Sequence, residues 1–285
     1  MTRRRFPVGK TLLYVFMSLW ALTTIYPFIW VILNSFKPRG LIRSDTFSLP
    51  IGDKFTLENY VTAFKRVDIG TAYVNSIVIS GAVTVVVMVL AGLAAYAMVR
   101  YSFRLRGFLH SMIIASMMFP VFSTIIPVFR MESSWGIVNT GSIWLTRLSV
   151  VLPQIAGNLS FAIIVLMGFI RSLPVDMEEA AYLEGYNVYQ MFFRIIMPLA
   201  KPSFATVGIF TFLWSYNDLF LQMFFLRSKK FFTITRLLNE ISSQAGTNYG
   251  LMVAAVVMVV IPVLVVYIFL QNYIIKGMTA GAVKG

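Results

Sequence analysis

The hydrophobic residues of this chain come in long runs rather than in the short alternations of a soluble fold. A helix crossing the hydrocarbon core of a bilayer needs about 20 apolar residues. Six stretches meet that requirement: 12–33, 72–99, 109–129, 148–170, 203–226 and 250–275. The third is interrupted by His110 and the fifth holds one acid, Asp218; the others carry no Asp, Glu, Lys or Arg. Each is too long and too apolar for the core helix of a soluble domain. The pattern predicts an all-α integral membrane protein with six transmembrane helices, residues 1–285 forming a single transmembrane domain. Pro27, Pro120, Pro127, Pro153 and Pro262 fall within these stretches. Each removes a helical hydrogen bond that neighbouring helices or water must replace.

Composition supports the same class. Of 285 residues, 58% are hydrophobic and 12% charged, and the mean hydropathy is +0.79. This excludes a disordered chain and an ordinary soluble enzyme. Lys and Arg number 24 against 11 Asp and Glu, a net charge of +13. In a soluble chain that excess would point to nucleic acid. Here no basic run is long or interleaved with aromatics, and basic residues at membrane edges explain it better. No nucleic-acid partner is expected. There is no cysteine and only one histidine, so thiolate metal sites and disulfides are excluded and no metal site is expected. Gly9-Lys10-Thr11 imitates the end of a phosphate-binding loop, but the upstream glycine position is Arg4. It carries no nucleotide.

Charge also bears on orientation. Arg3, Arg4, Arg5 and Lys10 precede the first span, as in a signal peptide, yet the apolar run is too long and has no small-residue cleavage site. An uncleaved first span with a cytoplasmic N-terminus follows, and six spans return the C-terminus to the same side. Arg100, Arg104 and Arg106 then lie inside. The cluster Arg227, Lys229, Lys230 and Arg236 lies outside, against the usual bias. It reads as a solvated loop, or as an attractor for an acidic saccharide or an acidic face of a partner.

Residues 171–201, between the fourth and fifth spans, hold four of the eleven acids: Asp176, Glu178, Glu179 and Glu184. Pro174 suits a helix start, the acids complement its positive dipole end, and Gly185 suits its stop. Asn187 with Gln190 three residues later predicts a capping box for a second helix. Val188, Met191, Phe192, Ile195 and Ile196 then form one apolar stripe at helical spacing. The unit reads as a cytoplasmic helix–turn–helix whose first helix offers acids and the small residues Ala180 and Ala181. Physical reasoning alone leaves it open whether this is a docking element or an amphipathic linker.

Glu179-Ala180-Ala181, Gly185, Ile196 and Pro198 resemble the EAA loop of bacterial ATP-binding-cassette (ABC) importer permeases, with Glu184 where that family commonly has Asp. The resemblance extends over nearly the whole chain and narrows to sugar importers of the maltose-permease G type. It runs through Ala94-Ala95-Tyr96-Ala97 with Arg100, Met118-Phe119-Pro120, Gly136 to Thr140, Trp214 with Asn217-Asp218, and Gly277 to Gly285. It implies a permease subunit in the bacterial inner membrane that imports a sugar or oligosaccharide and has no catalytic residues or cofactor of its own. ATP and Mg would sit on two partner ATPase subunits. A second homologous permease, an extracytoplasmic solute-binding protein and the bilayer complete the expected partners. In such a chain Glu178, Glu179, Ala180, Ala181, Glu184, Gly185 and Pro198 would couple to the ATPase. Gly277, Gly281 and Lys284 would reach toward the ATPase pair.

Asp218, a carboxylate inside a span, is a substrate-path candidate by default, Asn158 could hydrogen-bond a saccharide, and Trp214 and Asn217 join them through the resemblance. The competing reading for Asp218 is a pairing with Arg227 or a helix terminus, and for Asn158 helix–helix packing. A secondary transporter would need paired intramembrane charges where only Asp218 is available. A membrane enzyme would need a nucleophile or a metal cluster.

Overall fold

The computed structural model describes residues 8–66, 68–244 and 248–282, and every regular element among them is helical. In chain order these are α1 (Val8–Ser35), α2 (Arg39–Ser44), α3 (Glu58–Arg66), α4 (Ile69–Arg100), α5 (Arg106–Ser116), α6 (Val121–Ser134) and α7 (Ile143–Ile170). There follow α8 (Asp176–Leu183), α9 (Val188–Met191), α10 (Met197–Leu199), α11 (Lys201–Asn217), α12 (Phe220–Phe225), α13 (Ile234–Gln244) and α14 (Tyr249–Ala282). The chain divides into two compact units, 1–68 with 238–262 and 69–237 with 263–285.

In the first unit α1 exposes apolar side chains such as Leu12, Trp20 and Leu22 on all sides, a surface suited to lipid rather than water. The segment that follows is folded. Asn59 on α3 donates to the carbonyls of Ser35 and Lys37 at 2.9 and 2.8 Å. Phe36 stacks on Phe55 and packs against Tyr60. Lys37 is fully buried, its Nζ donating to the carbonyls of Asp45 and Thr46. Burial pushes its ammonium pKa down, because desolvation disfavours the charged form. Asp45 pairs instead with Lys54 at 2.6 Å.

The second unit is organised on α4, which packs against α7 and α11. Ile79, Val83, Val87, Ala91 and Ala95 recur every four residues and are all buried. On α7, Val150, Gln154, Asn158, Ala162, Leu166 and Ile170 do the same. Small residues on these faces allow the close backbone approach on which helix association in lipid depends. Among the described glycines of this unit Gly92 is the tightest. A Cβ there would lie 2.8 Å from ring carbons of both Phe192 and Phe204.

Among the described residues three helices, α1, α4 and α7, are long and apolar enough to cross a membrane, or up to five crossings if each bent pair counts as one. The expected third span is bent where the sequence places a proline inside it: α5 and α6 meet at 103°. Pro120 stands at the break in an extended conformation, and it has no amide with which to continue the hydrogen-bond ladder of α5. Pro27, Pro153 and Pro262 instead lie inside continuing helices. The expected fifth span is also interrupted. α11 ends at Asn217, Asp218 is extended, and α12 restarts two residues later. A second bend, of 83°, separates the α9–α10 segment from α11.

Candidate functional site

The segment 171–201 forms the helix–turn–helix that its pattern predicts. Asp176, Glu178 and Glu179 occupy the first turn of α8, where they favour its positive dipole end. Its C-terminus closes as a Schellman motif: Tyr186 N donates to Ala181 O and Gly185 N to Tyr182 O, at 3.1 and 3.0 Å. Gly185 has φ +83°, a conformation that costs an L-residue about 1–2 kcal/mol. The capping box then starts α9: Gln190 N donates to Asn187 Oδ1, and Asn187 N to Gln190 Oε1. The helix widens to a π-turn over Phe192–Ile196 immediately before Met197 and Pro198, which has no amide to donate. Phe192 is fully buried. It packs on Tyr96 of α4 and Phe204 of α11, over Gly92.

The acids of α8 divide by face. Glu179, Ala180 and Glu184 are exposed with Gly185 and Pro198, beside Tyr182 and Leu183, which is 87% exposed. Glu178 and Ala181 face inward. Arg100 Nε donates to Glu178 Oε1 at 2.6 Å, and Tyr96 OH donates to Oε2 at 2.9 Å. Arg100 Nη2 also donates to the Leu173 carbonyl at 3.0 Å. The last turn of α4 therefore grips both the entry to α8 and its first turn. The Lys54–Asp45 ion pair has both partners more than 40% exposed, whereas the side chains of Arg100 and Glu178 are 12% and 11% exposed.

The candidate path residues fall into two groups. Asp218 and Asn158 join a polar core built on Gln154 of α7. Gln154 Nε2 donates to Asp218 Oδ2 at 2.9 Å, and Ser215 Oγ donates to Gln154 Oε1 at 2.6 Å. Asn158 lies one turn on, and its Nδ2 donates to the backbone carbonyl of Gln154 within α7 at 2.7 Å. Gln222 extends the chain, donating to Ser215 O and accepting from Thr233. Asp218 Oδ1 also accepts from Leu221 N at 3.2 Å, at the start of α12. Trp214 lies apart, half-exposed, with its ring 4.8 Å from Phe161 and 5.8 Å from Phe210. Asn217 is exposed and donates to its own helix at Leu213. Gln154, Ser215 and Gln222 carry no signal in a hydropathy pattern, because single neutral polar residues do not interrupt a span.

Gly277 and Gly281 lie on α14, and Lys284 falls outside the described residues. Among the described residues no three Asp, Glu or His side chains are grouped to hold a metal ion.

Residues 88–280 match the family of binding-protein-dependent transport system inner membrane components. The chain belongs to that family. Its members sit in the inner membrane, and the matched region contains both the α8–α10 unit and the polar core. The chain is 33% identical over 273 residues to the diacetylchitobiose uptake system permease protein NgcG of Streptomyces coelicolor, covering 95% of this chain and 88% of that one. It is 32% identical to the trehalose transport system permease protein SugB of Mycobacterium tuberculosis, covering 92% and 93%. A crystal structure of a bacterial ABC transporter involved in the import of the acidic polysaccharide alginate shares the fold, with a TM-score of 0.81 at 23% identity, covering 96% and 99%. Membership of this inner-membrane family makes the chain a transport component.

Proposed function

We propose that this chain is one of two permease subunits of an ABC importer that carries a sugar or oligosaccharide across the bacterial cytoplasmic membrane. The observation that carries the reading is the exposed face of α8, set on α4 by the buried Arg100–Glu178 pair. A helix held this firmly at its base, yet exposed at its tip, is suited to transmitting force. In this reading Glu179, Ala180, Glu184 and Gly185 meet an ATPase subunit, while Glu178 acts inward as a positioning residue and Pro198 shapes the turn into α11. ATP and Mg belong to the two ATPase subunits, and this chain hydrolyses nothing. Their closure draws the α8 elements of two permeases together and rocks the bundle between inward-open and outward-open states.

The α5–α6 and α11–α12 pairs each count as one crossing. With α1, α4, α7 and α14 they give six, with both termini and α8 in the cytoplasm. Gly277, Gly281 and Lys284 then extend toward the ATPase pair. The sugar class rests on the relatives' substrates and on the amide-rich core around Gln154, Asn158 and Asp218. An acidic solute is supported by the outer cations alone, since that core carries an acid and no base. Affinity purification of the tagged chain tests the proposal: two copies of an ATPase and a second permease should accompany it. Recovery as a lone polytopic protein with full uptake activity would reject it.

A further inference from the structure

The opposite end of the second unit holds a feature that coupling to the ATPase does not use. Asn75 lies 25 residues before Arg100 on α4, about 37 Å along the helix. Asn75 Nδ2 donates to the carbonyls of Lys230 and Phe232, at 3.2 and 3.0 Å, and its Oδ1 accepts from Arg147 at 2.9 Å. Ile234 N donates to Ser76 Oγ at 2.8 Å. The loop after α12 is thereby pinned to the start of α4. Beside it the α6–α7 connection turns through Gly136, Asn139 and Gly141, all with positive φ. Between the two loops opens a pocket of about 440 Å³ lined by Asn139, Gly141, Arg227, Ser228, Lys230 and Phe231.

The pocket is cationic and not neutralised. Residues 133–149 and 219–239 contain no Asp or Glu. Arg227 rests over the ring of Phe129, and Lys230 lies over Phe231 with a 3.5 Å contact to the Gly141 carbonyl. Neither has a carboxylate partner among the described residues. A guanidinium and an ammonium held on one rigid rim match a carboxylate side chain presented by a protein.

We propose that this pocket receives an acidic side chain of the solute-binding protein and so orients that protein on the permease. The inference rests on the importer reading, which puts α8 in the cytoplasm and hence this end of α4 outside. Charge at an interface rim acts mainly on association rate and salt dependence. The test uses the purified complete transporter in nanodiscs, with its binding protein loaded with solute, and follows binding-protein-stimulated ATPase activity. Reversing the rim with Arg227→Glu and Lys230→Glu should raise the half-maximal concentration of binding protein about tenfold, with the maximal rate retained. The milder Arg227→Gln with Lys230→Gln should give a smaller rise in the same direction. The unmodified transporter, which needs no variant to fold, should bind several-fold more weakly as salt rises from about 50 to 300 mM.

An unchanged half-maximal concentration in the variants, or no salt dependence in the unmodified transporter, would overturn the proposal. So would a change seen only in the dependence on free sugar at saturating binding protein, which would assign the rim to an acidic solute. If no ATPase accompanies the chain at all, the importer reading fails instead.

Discussion

The two ends of α4 each hold a loop, and they do so by different chemistry. At the Arg100 end a buried ion pair, reinforced by Tyr96, fixes α8. At the Asn75 end a neutral amide does the holding, through two carbonyls and one arginine, and leaves the loop's cations uncompensated. A charge pair inside protein loses much when one partner is removed, because the survivor is left desolvated. An amide loses only its hydrogen bonds. Removing one partner should therefore cost more at the Arg100 end than at the Asn75 end.

The largest effect should come from the exposed tip of α8. Glu179→Lys and Gly185→Asp should abolish ATP-driven uptake while the protein still inserts at normal abundance, as radiolabelled uptake and membrane immunoblotting would show. Normal transport by both variants would remove α8 from the coupling role. Next in size is the brace. Arg100→Ala should destabilise the 171–186 segment by about 3 kcal/mol. This would appear as faster proteolytic cleavage there and as ATP hydrolysis without matching uptake, and Arg100→Lys should restore part of the loss. Asn75→Ala should cost less, about 1–2 kcal/mol, and weaken response to the binding protein rather than coupling. Equal uncoupling by Asn75→Ala and Arg100→Ala would erase the contrast between the two ends.

The smallest effect belongs to the exposed Lys54–Asp45 pair. Lys54 donates to Asp45 and holds its carboxyl below the usual carboxylate range. A depressed carboxylate contributes stability above its unfolded pKa and loses it as pH falls through the lower folded value. Because the pair is exposed, Asp45→Asn should lower thermal stability only slightly between about pH 6 and 8, and that small difference should disappear in acid, where Asp45 is protonated in the unmodified protein too.

What could be read from the sequence follows the range of the interactions involved. The capping box at Asn187 and Gln190, the stop at Gly185 and the acid-first α8 are contacts between near neighbours, so their residue types announce them. The inward turn of Glu178 depends on Arg100, 78 residues away, and a run of acids does not show which member faces in. The same holds for Asn59 reaching back to Ser35, which makes a folded element of a stretch that reads as a loop. The break at 117–120 was signalled by Pro120, but Pro27, Pro153 and Pro262 give the same signal inside continuous helices. Packing around each proline, not the proline alone, decides whether the helix breaks.

The central claim, that the tip of α8 docks on an ATPase subunit, can be tested by crosslinking without background, since the chain has no cysteine. Leu183→Cys at the tip and Ser228→Cys at the opposite end of the unit would each carry a short thiol-directed photocrosslinker in the assembled transporter. The account predicts an ATPase adduct from position 183 that changes in yield when ATP is bound, and none from position 228. An ATPase adduct from 228, or none from 183 in an active complex, would contradict it.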